Sequence, residues 1–294
     1  RLDFVTSNGT REIEFICEEN YKAFDIYWNE LHGTAPILGY IIGSYQQAIQ
    51  FLNFQPKPVG SPVNEGTTLM TDELANRRVV GGKLPADLLA NFLSDLAPTD
   101  PRVLLGPGVG EDAAFVSFGS KTLIAKSDPI TFASDRIGWY AIQVNANDIA
   151  ASGGTPKWFL GTLFLPENEP ASTARDIFAQ LQEAATELGI MLIGGHTEIT
   201  IGLPRPIIAG TMLGEAAPSE TVKTSAANFG DDVIITSGIA IEGTAIIARE
   251  SRSALLSAGL TKQQISKAAE FLDSPGISIV KAASIATSTG HVTA

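Results

Sequence analysis

The strongest constraint on the fold is the irregular order of strand and helix patterns that begins near Leu84. The segments RVLL, AAFVSF, KTLIAK, KWFLGTLFL, MLIGG and RPIIAGTMLG are short, apolar and bounded by turn residues, which is typical of strands. Helical patterns occur in PADLLANFLSDL, from Ser134 to about Ala151, and from Ser172 to Leu188. Because strands and helices do not alternate regularly, the pattern predicts an α+β fold and not a doubly wound parallel sheet.

Changes in composition divide the chain of 294 residues into four parts. Residues 1–79 have no sustained period and contain a turn-rich segment, Gln55 to Thr68, so we interpret them as an extension of unknown role with a linker. Residues 80–214 hold the strand and helix patterns, and 215–222 form a second linker. Residues 223–294 predict a strand at Asp232–Thr236, a helix from about Gly243 to Glu250 and two further amphipathic helices, which we interpret as an incomplete second domain.

Charge and composition limit the possible partners. The formal net charge is -12 and no basic stripe is present, which argues against a nucleic-acid partner. No run of eighteen apolar residues occurs, so we expect no membrane span, and the single cysteine, Cys17, is typical of a reducing compartment. We therefore expect a soluble cytoplasmic protein. A polyanionic ligand would need metal ions or backbone amides to offset the acidic field.

The segment GPGVGEDAA combines glycines with an acidic pair. Gly106, Gly108 and Gly110 would let backbone N–H groups approach an anion, and the following Glu111 and Asp112 could hold the metal that accompanies a phosphate. The alternative is an exposed turn with a solvated acidic pair. The segment is not a Walker A loop, and it precedes a strand pattern where a dinucleotide-binding loop would open a helix.

Two further aspartates lie at junctions between predicted elements. Asp128 follows the strand KTLIAK, where Asp-Pro is also common in ordinary turns. Asp148 lies on the apolar stripe of the helix that ends near Ala151, with Asn145 close to one turn before it. A carboxylate on a buried helical face costs several kcal/mol unless a cation or strong donors satisfy it. The alternative is an aspartate satisfied by a local cap or salt bridge.

The segment GGHTE, from Gly194 to Glu198, follows the predicted strand MLI. Its paired glycines would again allow close approach of an anion to the backbone. His196 could be a metal ligand, but His32 and His291 offer no matching spacing, and a hydrogen-bonded structural histidine is the alternative. A serine hydrolase is not indicated, because no G-x-S-x-G elbow is present.

Taken in order, these segments resemble the aminoimidazole ribonucleotide synthetase (PurM-like) superfamily. That superfamily also includes selenophosphate synthetase, thiamine-monophosphate kinase and the hydrogenase expression/formation protein. The resemblance covers roughly Gly81 to Ala294 and depends on GEDAA, the strand followed by SD, VNANDIAASGGTP, GGHTE and GDDVIITSG with EGTA. VNANDIAASGG, GGHTE and SPGISIVKAA are most similar to the branch related to hydrogenase maturation factors.

The resemblance implies a PurM-like N-terminal domain with a mixed sheet and flanking helices, and a homodimer whose strands form a shared barrel. It implies ATP and Mg²⁺ as cofactors, with Asp112, Asp128 and Asp148 as metal ligands and catalytic residues. The residues that it places at or near the ATP phosphates are Gly108, Gly110, Asn145, Asn147, Gly194, Gly195, His196, Thr197 and Glu198.

The function implied is transfer of the ATP γ-phosphate to a substrate oxygen, with a small-molecule or protein acceptor. Two alternatives stay open: a nucleotide-binding assembly factor that docks on a metalloenzyme precursor without catalysis, and a structural relative without nucleotide binding. The sequence departs from many relatives at Glu111, where an aspartate is common, and at His196, where a carboxylate is common. It also contains no C-terminal cysteine of the kind that carries the reacting group in hydrogenase-maturation enzymes.

Overall fold

The computed structural model describes residues 84–94, 96, 98–111, 113–133 and 135–294, together with four strands before residue 84. These four form one antiparallel sheet in chain order: β1 Leu2–Thr6, β2 Gly9–Ile16, β3 Phe24–Trp28 and β4 Gly39–Ile41. The chain separates into two compact units: Arg1–Val59 with Ile234–Ile277, and Gly60–Val233 with Ser278–Ala294. The domain boundaries inferred from the sequence stay a prediction.

The second unit is built on a six-stranded sheet. Its spatial order is β5-β6-β7-β10-β8-β9, and every neighbouring pair is antiparallel except β8 and β9. This mixed sheet with flanking helices confirms the predicted α+β class. The strands are β5 Val103–Leu105, β6 Ala114–Phe118, β7 Lys121–Ile130, β8 Thr155–Pro166, β9 Met191–Thr200 and β10 Ile207–Ala216.

β6 and β7 form a hairpin around Gly119 and Ser120. β6 and β7 pair from Phe118↔Lys121 to Ala114↔Ala125, and Gly119 has a φ of 65°. A two-residue hairpin turn needs positive φ, which glycine adopts without a Cβ penalty.

β7 is longer than the sequence pattern indicated, and Asp128 therefore lies inside the strand and not at its end. The pairing with β6 stops at Ala125, whereas the pairing with β10 continues to Ile130↔Ile208. Beyond Ala125 no strand among the described residues pairs with one side of β7, and Pro129 is tolerated there because an edge does not require its missing N–H. The same open edge leaves room beside the strand just before Asp128.

Three helices of the second unit are α1 Ala86–Leu93, α2 Ile137–Ala151 and α3 Ala171–Glu187. α2 packs on β7, β8 and β10 on one side and on α3 on the other, which buries ten of its fifteen residues. Fully burying a side chain such as Ile149 or Ile142 stabilises the fold by about 1.5–3 kcal/mol. Gly138 permits the close helix contact, because a Cβ there would lie 2.5 Å from the carbonyl oxygen of Ile177.

The remaining helices differ in part from the prediction. α4 Ile241–Glu250 confirms the helix expected from about Gly243, but three helices follow it, not two: α5 Arg252–Ser257, α6 Lys262–Ala269 and α7 Val280–Ser288. The strand predicted at Asp232–Thr236 is wrong. A strand requires a hydrogen-bonded neighbour, and among the described residues none pairs with this segment; Val233 is 76% exposed and Ile234 82%. In the described part of the chain, every helix is too short or too polar to span a lipid bilayer.

Candidate functional site

Asp128 is held in place by the side chain of Asn145, which is completely buried in α2. The Asn145 Oδ1 atom accepts a hydrogen bond from the Asp128 N–H at 3.0 Å, and Nδ2 donates to the Asp128 carbonyl at 3.3 Å and to the Ala141 carbonyl at 2.9 Å. Both donors of the amide are therefore used within the protein. Gly210 makes room for this arrangement, because a Cβ at that position would lie 2.6 Å from Asn145 Nδ2.

These bonds place Asn145 behind the site. The resemblance implies that Asn145 or Asn147 contacts phosphates. In the structure Asn145 orients the backbone of Asp128, and Asn147 Oδ1 accepts a hydrogen bond from the Ile279 N–H at 2.9 Å. A phosphate contact by either side chain stays a prediction, and for Asn145 it would require breaking bonds in a dry environment. The observed role of Asn145 is to fix the position of Asp128.

Lys126, which the sequence motifs did not indicate, lies between Asp128 and Asp148. Lys126 Nζ lies 2.9 Å from Asp148 Oδ2 and 4.0 Å from Asp128 Oδ2. The Lys126 side chain is 14% exposed, that of Asp148 23% and that of Asp128 38%. Lys126 and Asp128 are two residues apart in β7 and so lie on the same face of the sheet, towards α2. The structure thus brings together two of the three predicted metal ligands around one ammonium group.

The third predicted ligand, Asp112, lies outside the described residues, and among those described no three His, Cys, Asp or Glu side chains form a group that could hold a metal ion. The residues present nevertheless fit Mg²⁺, because Asp128 and Asp148 supply carboxylate oxygens and already share one cation. Two carboxylates and one ammonium group together carry a net negative charge that a divalent cation would offset.

Residues 106–110, the glycine loop, border a cavity of about 350 Å³. The cavity lies between this loop and the open edge of β7. Gly110, in the same loop, has a φ of 88°, a left-handed conformation that favours glycine. The Glu111 side chain accepts a hydrogen bond from the Ser225 N–H at 3.2 Å, which ties the end of the loop to residues after β10. The cavity is lined by Leu93, Gly106, Pro107, Gly108, Glu111, Ala113, Ala114, Ala125, Lys126 and Ser127.

The GGHTE segment lies within β9, and the expectation that it follows a strand is wrong. β9 continues to Thr200 because it pairs in parallel with β8 along its whole length. Gly195 faces Gly161, and a Cβ on Gly195 would lie 2.0 Å from the Gly161 carbonyl oxygen, so this glycine serves close strand packing. His196 Nε2 lies 3.6 Å from Glu198 Oε2, with both side chains more than half exposed.

The sheet register separates GGHTE from the aspartates. Asp128 pairs with Gly210, Gly210 with Gly161, and Gly161 with Gly195, which puts three strand spacings between Asp128 and Gly195. Three spacings are about 14 Å. Gly194, Gly195, His196, Thr197 and Glu198 are thus not brought to the aspartates within one chain, and their role at phosphates stays a prediction.

The central part of the second unit is similar to a known protein family. Residues 110–216 match the family described as "AIR synthase related protein, N-terminal domain". The match confirms, for this stretch, the resemblance inferred from the motifs.

The chain is also similar to curated proteins and to solved structures. The chain is 31% identical over 193 residues to "Selenide, water dikinase" of Shewanella sp. (strain W3-18-1), an alignment that covers 62% of this chain and 53% of the relative. The chain thus spans about half the length of the curated relatives it matches. Similar solved structures include "AaThiL complexed with AMPPCP and TMP", with a TM-score of 0.48 and 26% identity over 59% of this chain and 56% of that one. Another is "Hydrogenase Maturation Protein HypE in complex with ATP", with a TM-score of 0.42 and 22% identity over 52% of this chain and 47% of that one.

Proposed function

We propose that the protein binds ATP with Mg²⁺ and transfers the γ-phosphoryl group to an oxygen atom of a substrate. The observation that carries the proposal is the pair Asp128 and Asp148 around Lys126, beside a cavity bordered by the glycine loop. The sequence relative named a selenide, water dikinase supports a kinase-type reaction. The acceptor is a small molecule or a protein group.

In this proposal the carboxylates of Asp128 and Asp148 hold the metal ion, and Asp112 is the expected third ligand. When bound, Mg²⁺ neutralises phosphate charge and orients the phosphates for in-line displacement. Asn145 holds the Asp128 peptide, so that the carboxylate needs no reorganisation when the metal binds. The backbone of Gly108 and Gly110 offers N–H groups to the phosphates, which the acidic protein would otherwise repel.

We also propose that the protein acts as a homodimer that covers one face of the six-stranded sheet. On β10, Ile208, Met212 and their neighbours facing α2 are buried, whereas the alternate residues Ile207, Ala209 and Leu213 are only partly buried. On the neighbouring strand β8, Phe164 pairs with Ile207 and is also only partly buried. Apolar surface of this kind is typical of a protein interface. A second copy is the occupant that the family resemblance favours.

Turnover of ATP by the 294-residue protein tests the proposed reaction. Release of phosphate from ATP, to water or to a trial acceptor, is expected to require Mg²⁺ and to fall at least about a hundredfold in Asp148→Asn, because a metal ligand is lost. Asp176→Asn is the matched control, since Asp176 is 60% exposed on α3 and pairs with the adjacent Arg175. Equal turnover by Asp148→Asn and the control would contradict the proposal. Nucleotide binding without any turnover would favour the alternative, an assembly factor for a metalloenzyme.

A further inference from the structure

Lys126 is the charged residue of the candidate site that neither the motifs nor the proposed mechanism uses. It is 14% exposed, the least exposed of the three charged side chains in its cluster, and it reaches both described aspartates. It also lines the glycine-loop cavity, at the open edge of β7. One side chain therefore borders both the proposed metal site and the proposed phosphate site.

We propose that Lys126 is an internal counter-ion that exchanges with the metal. In the metal-free protein its ammonium group satisfies Asp148 and Asp128; when Mg²⁺ and nucleotide bind, it leaves the carboxylates and donates to a phosphate oxygen in the glycine-loop cavity. The inference rests on the proposed function, because it concerns the same carboxylates and the same nucleotide.

Electrostatics explain why the two cations compete. The 2.9 Å contact uses Asp148 Oδ2, one of the two oxygens that this carboxylate could offer to a metal ion. An ammonium group and a divalent cation held by the same carboxylate would repel each other strongly, because the partly buried site screens them less than water does. Binding of the metal therefore favours movement of the ammonium group away from the carboxylates. The flexible four-carbon stem of lysine permits this movement.

The destination of the ammonium group follows from the cavity lining. Among the residues that line the cavity, Lys126 and Glu111 carry charge, and the Glu111 carboxylate is already bonded to the Ser225 N–H. A phosphate in this cavity needs a cationic or N–H donor, and Lys126 is the cation in the lining. A lysine that is used first by carboxylates and then by phosphate keeps its own charge paired in both states, so no unpaired ammonium group is buried.

Metal affinity measured without nucleotide tests the exchange directly. Mn²⁺ alone, followed by electron paramagnetic resonance, is expected to bind Lys126→Met about tenfold more tightly than the wild type, equivalent to about 1.4 kcal/mol. Lys121→Met is the matched control on the same strand, since Lys121 pairs with Glu215 and not with the site, and its Mn²⁺ affinity is expected to equal that of the wild type. Lys126→Arg keeps the charge and is expected to bind Mn²⁺ at least as weakly as the wild type.

The nucleotide complex supplies the second measurement. Mn²⁺ with a non-hydrolysable ATP analogue is expected to bind Lys126→Met several-fold more weakly than the wild type, opposite to the change for Mn²⁺ alone. Unchanged or weaker binding of Mn²⁺ alone by Lys126→Met would overturn the exchange; if the wild type still binds the Mn²⁺–nucleotide complex, the proposed function stands. If the wild type binds neither Mn²⁺ nor the complex, the proposed function itself fails. Lys126→Gln replaces Lys126→Met should the latter not fold.

Discussion

The side chain of Asn145 on α2 holds both the N–H and the carbonyl group of Asp128 on β7. A single buried amide on a helix that packs on the sheet therefore fixes the position of one strand residue. Asp148 lies three residues further along the same helix, so one rigid element positions both carboxylates of the candidate site.

Replacement of Asn145 by alanine is expected to destabilise the protein. It would leave the Asp128 N–H and carbonyl without the side chain that satisfies both, and it would open a small cavity, at a cost of roughly 2–4 kcal/mol in the free energy of unfolding. Urea unfolding followed by circular dichroism measures this cost. Gln182→Ala, on the exposed face of α3, is the control and is expected to change stability by less than about 0.5 kcal/mol. Equal midpoints for the two variants would contradict the positioning role.

Two adjacent glycines of β9 are expected to respond differently to the same substitution. Gly195→Ala would place a Cβ 2.0 Å from the Gly161 carbonyl oxygen, whereas for Gly194→Ala the nearest contact is Leu160 Cδ2 at 3.9 Å. The φ angles, 153° and 159°, are similar, so backbone strain nearly cancels in the comparison. Gly195→Ala is expected to lose about 1–3 kcal/mol more than Gly194→Ala by thermal unfolding. Equal losses would contradict the close pairing of β8 and β9.

The Asp100 carboxyl group is expected to titrate well below its ordinary range. Its hydrogen bonds with the Arg102 side chain, assisted by the Arg102 N–H, lower the pKa from 3.8 to about 2. The pKa of Asp100 is lower in the folded than in the unfolded protein. The contact with Arg102 therefore stabilises the fold above about pH 3.8, and this stabilisation is lost as the pH falls towards 2. Carbon-13 NMR of the carboxyl carbon measures the midpoint. Arg102→Gln is expected to return it towards 3.8, and Arg205→Gln to leave it unchanged; a midpoint near 3.8 in the wild type would contradict the contact.

The proposed homodimer is expected to depend on the partly buried face of β10 that points away from α2. Leu213→Glu would place a charge on that face, and the mass in solution by light scattering is expected to fall from that of a dimer to that of a monomer. Phe178→Glu is the control, because Phe178 is 50% exposed on α3, on the side of the unit that carries the helices. A monomeric wild type, or a dimeric Leu213→Glu variant, would exclude this interface.

Much of the second unit could be predicted because local signals and tertiary packing agree there. The hairpin at Gly119 and helices α2 and α3 follow from turn residues and from apolar periods that the sheet then buries. The extent of β9 could not be predicted, because glycine and polar residues such as His196 and Glu198 are typical of loops, and only pairing with β8 holds them in a strand.

The candidate site could be predicted only in part, because some of its residues have local sequence signals and others depend on tertiary packing. Asp148 could be identified because a carboxylate on an apolar helical stripe requires a partner. Lys126 could not, since a lysine in a strand usually indicates a solvated face, and its burial appears only when α2 packs on β7. The positioning role of Asn145 could not be predicted either. A hydrogen bond between a side chain and a backbone group 17 residues away leaves no local pattern in the sequence.

The most direct test of the central claim, a Mg²⁺–nucleotide site at Asp128 and Asp148, is a thermal-shift titration with ATP in the presence and absence of Mg²⁺. At about a hundred times Kd, bound ATP is expected to stabilise the wild type by about 2.7 kcal/mol with Mg²⁺ present. Removal of the metal, or the substitution Asp128→Asn, is expected to abolish most of that gain. A shift that needs neither Mg²⁺ nor Asp128, or no shift in the wild type, would contradict the account.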